Sequence, residues 1–160
     1  MELRLIKIRQ LGRKEPIPLR LLLLADPSEE MIMAYFSPNY TYIAELSNEI
    51  IAVFILYPLN DETIEIKNIA VQEDFQGKGV GTILLSYATQ IARDHDFYKL
   101  VIGTADASRT PLRLYQKNGF IIYDTKKNFF IDNYSIPIFD NEIECVDMIM
   151  LEKYLKEKAI

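Results

Sequence analysis

The chain has 160 residues, of which 49% are hydrophobic and 26% charged, and its formal net charge is −5 at pH 7. This length predicts one domain over residues 1–160, and the composition excludes a disordered chain because it supplies enough apolar residues for a core. No apolar run is long enough to cross a bilayer, and the first residues lack the pattern of a secretory signal, so we expect a cytoplasmic protein without a membrane partner. The negative charge argues against nucleic acid as a partner and is compatible with a cationic substrate.

The first third of the chain predicts an edge strand, two helices and a hairpin. Pro18 suits the first turn of a helix, and Ser28 followed by Glu29 and Glu30 is a helix-start pattern. Ser47-Asn48-Glu49 suits the turn between two strands. In chain order, the predicted elements are a strand at 3–8, helices at 18–24 and 28–36, and hairpin strands at 40–46 and 50–57.

The next predicted strand, at 64–71, has a break in its alternation. Ile64 and Ile66 share one face, and Ile69 and Val71 share a face, but the two pairs are an odd number of residues apart. A β-bulge between Ile66 and Ile69 explains this slip, because it inserts one residue and re-aims the side chains that follow.

A glycine-rich turn, Gln76-Gly77-Lys78-Gly79-Val80-Gly81, follows this strand and precedes a helix predicted at 82–92. Glycine lets a ligand approach the backbone closely, so several N–H groups of the turn can point at one anion. The helix adds the positive end of its dipole, and the turn is therefore predicted to bind phosphate. The spacing is neither that of a P-loop, which needs Ser or Thr after the lysine, nor the G-x-G-x-x-G of a dinucleotide site.

The rest of the chain predicts a buried strand, a short helix and two more strands. Ser108 or Thr110 suits the cap of the helix, and Asn118-Gly119 suits its end. The element order β, α, α, β, β, β, α, β, α, β, β predicts an α/β or α+β fold with a mixed sheet. These later elements are a strand at 99–103, a helix ending at 118–119, strands at 120–123 and 145–151, and a polar tail at 152–158.

Cys145 is the only cysteine and His95 the only histidine. An intrachain disulfide is impossible, and a histidine triad or a zinc site would depend on one residue, so we expect no metal. Cys145 is predicted to be a small buried hydrophobe in a strand rather than an acyl carrier. His95 follows a predicted helix, where a cation suits the dipole, and is expected to have no catalytic role.

Three blocks, together with their spacing, resemble the GCN5-related N-acetyltransferases (GNAT family). They are Ile69-Ala70-Val71, the turn from Gln76 to Gly81, and Leu112-Arg113-Leu114-Tyr115-Gln116-Lys117-Asn118-Gly119-Phe120. The resemblance covers residues 45–120 well, and residues 129–139 look similar to a subset of small bacterial members. It implies a mixed, strongly twisted sheet of six or seven strands flanked by about four helices, with acetyl-CoA as the acetyl donor.

The resemblance also implies where acetyl-CoA binds. Its diphosphate would bind backbone N–H groups of the turn, and its pantetheine arm would enter a gap between the strands at 64–71 and 99–103. Gln76 would fold over the turn or contact phosphate, and Lys78 would add charge or stay solvated. Ser108 would contact the pantetheine or adenosine part of the cofactor, or cap its helix instead. The predicted cofactor-binding residues are Ile69, Ala70, Val71, Gln76, Gly77, Lys78, Gly79, Val80, Gly81, Thr82, Ser108 and Tyr115.

Tyr115 and Glu65 are the predicted catalytic residues. Tyr115 lies where the family places its general acid, and a phenol there can protonate the leaving thiolate. Glu65 is a candidate general base, and a solvated partner of Lys67 is an equally good interpretation. Asp106 is a second candidate base or a turn residue, and Asn68 is expected to have a structural role at the bulge.

These features predict direct transfer of an acetyl group from acetyl-CoA to a primary amine on a small molecule or peptide. A non-catalytic acetyl-CoA-binding sensor is the alternative and is less favoured because it would not need Tyr115. A nucleotide-binding protein without acetyl transfer is a third interpretation. An aromatic-rich stretch predicts a lid, a substrate wall or a homodimer contact. Its residues are Phe129, Phe130, Tyr134, Ile136 and Phe139.

Overall fold

The computed structural model describes residues 1–156 and contains a mixed seven-stranded sheet flanked by helices, which confirms the predicted fold class. The strands are β1 (Lys7–Gln10), β2 (Thr41–Leu46), β3 (Glu49–Pro58), β4 (Thr63–Val71), β5 (Lys99–Ala105), β6 (Ile121–Lys126), β7 (Phe139–Asp140), β8 (Ile143–Glu144) and β9 (Met148–Tyr154). The helices are α1 (Leu19–Ala25), α2 (Glu29–Tyr35), α3 (Val80–Asp94), α4 (Arg109–Lys117) and α5 (Phe129–Asn133).

The strand order in the main sheet is β1-β2-β3-β4-β5-β9-β6, and β7 and β8 form a separate two-stranded ribbon. β4 and β5 pair in parallel, and every other neighbouring pair in the main sheet is antiparallel. β9 lies between β5 and β6, so the central strand β5 is paired along its whole length on one side by the last strand of the sheet.

Each face of the sheet carries its own core. On one face α3 buries an apolar stripe that includes Leu84, Leu85 and Ala88, and Tyr115 of α4 packs in the same cluster. On the opposite face α1 and α2 bury Leu22 and Ile32 against β2, β3 and β4. This two-sided burial explains why β3 reads as a nearly continuous apolar run.

The predicted bulge lies in β4 at Lys67. Ile55 of β3 is opposite Asn68 and Leu56 is opposite Ile66, so Lys67 is the extra residue. Ile66 and Ile69 both pack on the α3 face, although they are three positions apart, which in a regular strand would put them on opposite faces. The bulge therefore re-aims the side chains as the sequence predicts, and it directs Asn68 to the α1–α2 face.

Several predicted boundaries differ from the structure. Residues 3–5 form a 3₁₀ turn, so the first strand begins at Lys7 rather than residue 3. The strand predicted at 120–123 is Ile121–Lys126, and the last strand is Met148–Tyr154 rather than 145–151. Residues 152–154 of the predicted tail therefore belong to the sheet, and residues 157–158 of that tail lie outside the described residues.

Residues 1–156 contain five α-helices, close to the expected number of about four, and the short helix α5 has no counterpart among the predicted elements. Five residues are too few for a helical period to show in the sequence. No helix within residues 1–156 has the length and apolar character needed to span a membrane.

Candidate active site

A gap opens between the two parallel strands. β4 and β5 pair from Thr63↔Lys99 to Ile66↔Ile102 and no further. Beyond Ile66, β4 stays paired with β3 on its other side as far as Val71, and β5 stays paired with β9 as far as Ala105. The two strands therefore separate beyond this point, while β3 and β9 remain paired with their outer edges. The inner edges of β4 and β5 are unpaired there and face each other across the gap.

Ile69 and Val71 direct backbone groups into this gap. The N–H of Gln72 donates to the carbonyl oxygen of Ile51 in β3 at 2.8 Å. Backbone groups alternate in direction along a strand, so the N–H and C=O groups of Ile69 and Val71 point the other way, towards β5. The side-chain amide of Gln76 donates to the carbonyl oxygen of Val71 at 2.8 Å, which places Gln76 back across the glycine turn.

The glycine turn leads directly into α3 and presents backbone donors. Gly77 and Gly79 have φ of +72° and +93°, values that residues with a side chain rarely adopt. Gly79 is the N-cap of α3 and no side chain caps the helix, so the first N–H groups of α3 have no partner within the helix. A Cβ at Gly77 would meet no atom within 4 Å, which leaves that side of the turn open. The bare donors and open space fit a diphosphate.

The remaining predicted residues of the turn take simple positions. A Cβ at Gly81 would come within 3.0 Å of Leu114 of α4, so this glycine allows α3 and α4 to approach closely. Val80 is buried in the core, and Lys78 and Thr82 are exposed beside the turn. The turn thus combines backbone donors with one exposed cation.

Tyr115 lies on α4, which packs beside the start of α3. Its side chain is 6% exposed, and its ring packs at 6.2 Å from the ring of Phe120. Its hydroxyl makes no hydrogen bond to any residue within 1–156. Burial raises the pKa of the Tyr115 phenol above its usual value, so the phenol keeps its proton at neutral pH and can donate it.

Glu65 lies on β4 just before the gap opens, and Asp106 follows the end of β5 on the other side. Glu65 is 5% exposed, in the paired part of β4, and its carboxylate forms an ion pair with Lys67 at 3.3 Å. The pairing with Lys67 is therefore present, but the carboxylate is buried rather than solvated. Asp106 follows β5 and accepts a hydrogen bond from the N–H of Val146 at 3.0 Å.

Comparisons with known proteins show the family of this chain. Residues 11–120 match the model of the acetyltransferase (GNAT) family. The chain belongs to the GNAT family. It is 40% identical over 131 residues to the uncharacterized N-acetyltransferase YvbK of Bacillus subtilis (strain 168), covering 82% of this chain and 84% of YvbK. This GNAT chain is thus an acyltransferase by family.

Two solved structures extend the likeness to the three-dimensional fold. A GNAT family acetyltransferase from Elizabethkingia anophelis with acetyl-CoA bound is 50% identical, with a TM-score of 0.91 over 94% of this chain and 99% of that one. A Bacillus subtilis acetyltransferase in complex with CoA is 36% identical, with a TM-score of 0.85 over the same shares. The GNAT fold of this chain is therefore established by both sequence and structure.

Three other predicted residues of this GNAT chain can now be placed. The hydroxyl of Ser108 donates to Asp140 and does not cap α4, so the predicted capping bond is wrong. Cys145 is buried, and burial with nearby carboxylates raises the pKa of its thiol, which makes it a poor nucleophile. His95 is the C-cap of α3 and is exposed. Within residues 1–156, no group of three or more His, Cys, Asp or Glu side chains could hold a metal.

The aromatic-rich stretch forms a covering segment, residues 127–147, which leaves β6 and returns into β9. Phe130 and Cys145 pack with Ala105 and Ala107 in a third apolar cluster at the end of β5. Tyr134 reaches across to Asp26 in the turn between α1 and α2, at 2.9 Å. Sequence reasoning missed Asp26 and its other partner Tyr35, because no local pattern connects residues this far apart in the chain.

Proposed function

We propose that this GNAT enzyme transfers the acetyl group of acetyl-CoA to a primary amine directly, with both substrates bound together. The observation that carries the proposal is the gap between β4 and β5, which opens beside a turn of unpartnered backbone donors. The turn suits the diphosphate, and the unpaired edge of β4 suits the amide groups of the pantetheine arm. The neighbouring structure with acetyl-CoA bound supports the same donor for this chain.

The proposed cofactor-binding residues divide by the part of acetyl-CoA they would hold. Ile69, Ala70 and Val71 would hold the pantetheine arm by backbone hydrogen bonds along β4, in the manner of an added strand. The turn residues would hold the diphosphate. These are Gln76, Gly77, Lys78, Gly79, Val80, Gly81 and Thr82. Ser108 adds no proposed contact beyond its bond to Asp140.

The proposed reaction needs two proton transfers: the acceptor amine loses a proton, and the thiolate of CoA gains one. A lysine-type amine has a pKa of about 10.4, so it reaches the enzyme protonated and must lose a proton before it attacks. Glu65, Asp106 or a water would take this proton, and Tyr115 would give one to the departing thiolate. The backbone N–H of Val71 would stabilise negative charge on the carbonyl oxygen, and holding both reactants in place supplies much of the acceleration.

A panel of amines tests this proposal. Release of CoA from acetyl-CoA is measured with spermidine, glucosamine, lysine and a peptide that has a free N-terminus. Turnover with at least one amine and a sequential kinetic pattern are expected. Tight binding of acetyl-CoA without turnover would instead favour a non-catalytic acetyl-CoA-binding module, and a ping-pong pattern abolished by Cys145→Ala would contradict direct transfer.

A further inference from the structure

Asn68 connects the β4 edge of the gap to the two N-terminal helices. It is the first residue of β4 after the bulge and lies beyond the last pair with β5. Its side chain is 3% exposed, and its Nδ2 donates to the carbonyl oxygen of Leu22 at 3.0 Å and to the hydroxyl of Tyr35 at 3.1 Å. The β4 side of the gap is thereby joined to α1 and α2.

The same hydrogen-bond chain continues to the covering segment. The hydroxyl of Tyr35 donates to Oδ2 of Asp26 at 2.9 Å, and the hydroxyl of Tyr134 donates to Oδ1 of Asp26 at 2.9 Å. The N–H of Ser28 also donates to Oδ1, at 3.1 Å. Asp26 therefore joins the α1–α2 turn to the covering segment through two phenols.

The covering segment is attached to the β5 side of the gap. Asp106, next to β5, accepts from the N–H of Val146, and the third apolar cluster packs on the end of β5. The chain Asn68–Tyr35–Asp26–Tyr134 therefore spans from the β4 side to the β5 side. It does so on the face opposite α3, where α1 and α2 border the β4 side of the gap and the covering segment borders the β5 side.

The negative charge of Asp26, in the middle of this hydrogen-bond network, has no neighbouring counter-charge among residues 1–156. Asp26 is 8% exposed and has no Lys or Arg within 4.0 Å among residues 1–156. Oδ1 of Asn68 is fully buried and has no donor in the same part of the chain. Burial, with the neighbouring Asp26 carboxylate, raises the pKa of Tyr35 and Tyr134, so both phenols stay neutral donors. A buried carboxylate without a counter-charge costs stability and attracts a cation.

Building on the proposed function, we propose that Asp26 and Tyr134 position the acceptor and select a cationic amine. Tyr134 holds the covering segment across the gap as one wall of the acceptor site. Asp26 fixes Tyr134 and supplies the negative charge that draws an ammonium group towards this opening. Both are positioning residues, because neither is placed against the reacting atoms.

Two variants separate the wall from the charge. Tyr134→Phe keeps the ring and the charge of Asp26 and removes one hydrogen bond. Asp26→Asn keeps the shape and removes the charge, and it leaves one acceptor oxygen in place of the two that accept hydrogen bonds now. Each is expected to raise the KM of the amine about tenfold, while kcat and the KM of acetyl-CoA stay within about twofold. The KM of the amine should also lose its dependence on salt in Asp26→Asn, since screening acts on the charge.

Tyr154→Phe is the matched control. The hydroxyl of Tyr154 donates to Glu152 at 3.0 Å, so this variant also removes a phenol–carboxylate bond, but at the opposite end of β9 from the covering segment. It should leave the KM of the amine unchanged. The amine used is whichever of spermidine, glucosamine, lysine and the peptide the wild type acetylates fastest.

Hydrogen exchange supplies a readout that does not need turnover. Amides of residues 127–147 should exchange faster in Tyr134→Phe than in wild type and in Tyr154→Phe. Unchanged exchange would overturn the inference, as would an unchanged amine KM in an active enzyme or an equal rise in the KM of acetyl-CoA. A wild type inactive with all four amines would instead contradict the proposed function.

Discussion

At the scale of single residues, Tyr115 differs from other tyrosines of the chain by its surroundings. Its phenol is buried, makes no hydrogen bond within residues 1–156 and has a raised pKa. A neutral phenol in an apolar site is a proton donor at neutral pH, which is what a departing thiolate requires. The sequence motif predicted a role for this residue, but the burial that raises the pKa of its phenol can be seen only in the fold.

Removing the Tyr115 hydroxyl should therefore slow the chemical step. Tyr115→Phe is expected to lower kcat by about 10²-fold or more, with the KM of acetyl-CoA nearly unchanged, because the ring keeps its packing. Steady-state kinetics measure both constants. Tyr87→Phe, which alters an exposed tyrosine on α3, is the control, and equal losses in the two variants would rule out the proposed acid role.

Glu65 is a testable base because the sheet contains a close counterpart. Glu65 pairs with Lys67 at 3.3 Å, and Glu152, another ion-paired carboxylate, contacts Lys99 at 3.2 Å. Both residues lie opposite Val101, one on each side of it.

Glu65→Gln is expected to lower kcat/KM for the amine about tenfold or more, since a neutral amide cannot take the proton. Glu152→Gln should change it less than about twofold. Steady-state kinetics with a fixed saturating concentration of acetyl-CoA make the comparison. A full rate in Glu65→Gln would leave Asp106 or water as the base.

At the scale of elements, local features were the ones that the sequence predicted. The bulge at Lys67 and the glycine turn each depend on residues that are close together in the sequence, so the hydrophobic periodicity and the glycine spacing reveal them. The place of β9 between β5 and β6 depends on pairing across the chain, which no local pattern encodes.

The charged end of β9 shows why strand boundaries are difficult to predict. Glu152 and Lys153 read as a solvated tail, but in the sheet Glu152 pairs with Lys99 and the ammonium of Lys153 lies 5.5 Å from the ring centroid of Phe120. Charged side chains with such partners fit a strand as well as apolar ones do. The same limit hid Asp26, whose partner Tyr134 lies 108 residues away.

The glycine turn permits a comparison between two glycines with one backbone geometry. Gly79 and Gly119 both have φ of +93°, but Gly79 precedes α3 and Gly119 follows α4. Alanine at either position should destabilise the protein by about 1–2 kcal/mol because L-residues avoid this conformation.

Only Gly79→Ala should weaken the binding of acetyl-CoA. Its Cβ would come within 3.2 Å of the Leu3 side chain, and a shift of the turn that relieves this contact would displace the proposed diphosphate donors. We expect its Kd to rise about tenfold, with little change in Gly119→Ala. Calorimetric titration with CoA measures the Kd, and urea unfolding confirms that both variants lose similar stability. A similar loss of affinity in the two variants would argue against the turn as the diphosphate site.

At the scale of the whole molecule, buried phenols make stability depend on alkaline pH. Burial raises the pKa of Tyr115 above the value of about 10 that the unfolded chain has. Above pH 10 the unfolded chain therefore loses this proton first, and stability falls as the pH rises. The pKa values of Tyr35 and Tyr134 are also raised, by burial and by the neighbouring Asp26 carboxylate, so both phenols act in the same direction.

The free energy of unfolding should thus fall from pH 10 upwards, with Tyr115 contributing about 1.4 kcal/mol per pH unit. In Tyr115→Phe the fall should be shallower by that amount, while between pH 7 and 9 the difference in stability between the two proteins should stay constant. Urea titrations at a series of pH values measure this. Parallel curves above pH 10 would show that the phenol is not shielded from water.

The insertion of β9 between β5 and β6 has a consequence for synthesis on the ribosome. Until Met148–Tyr154 has left the exit tunnel, a nascent chain holds β5 with one edge bare and β6 with no neighbour in the sheet. Half-built sheets of this kind invite association with other chains. Among the described strands, the partner that holds β5 beside the gap is thus added last, and chaperone contact should be longest just before this strand emerges.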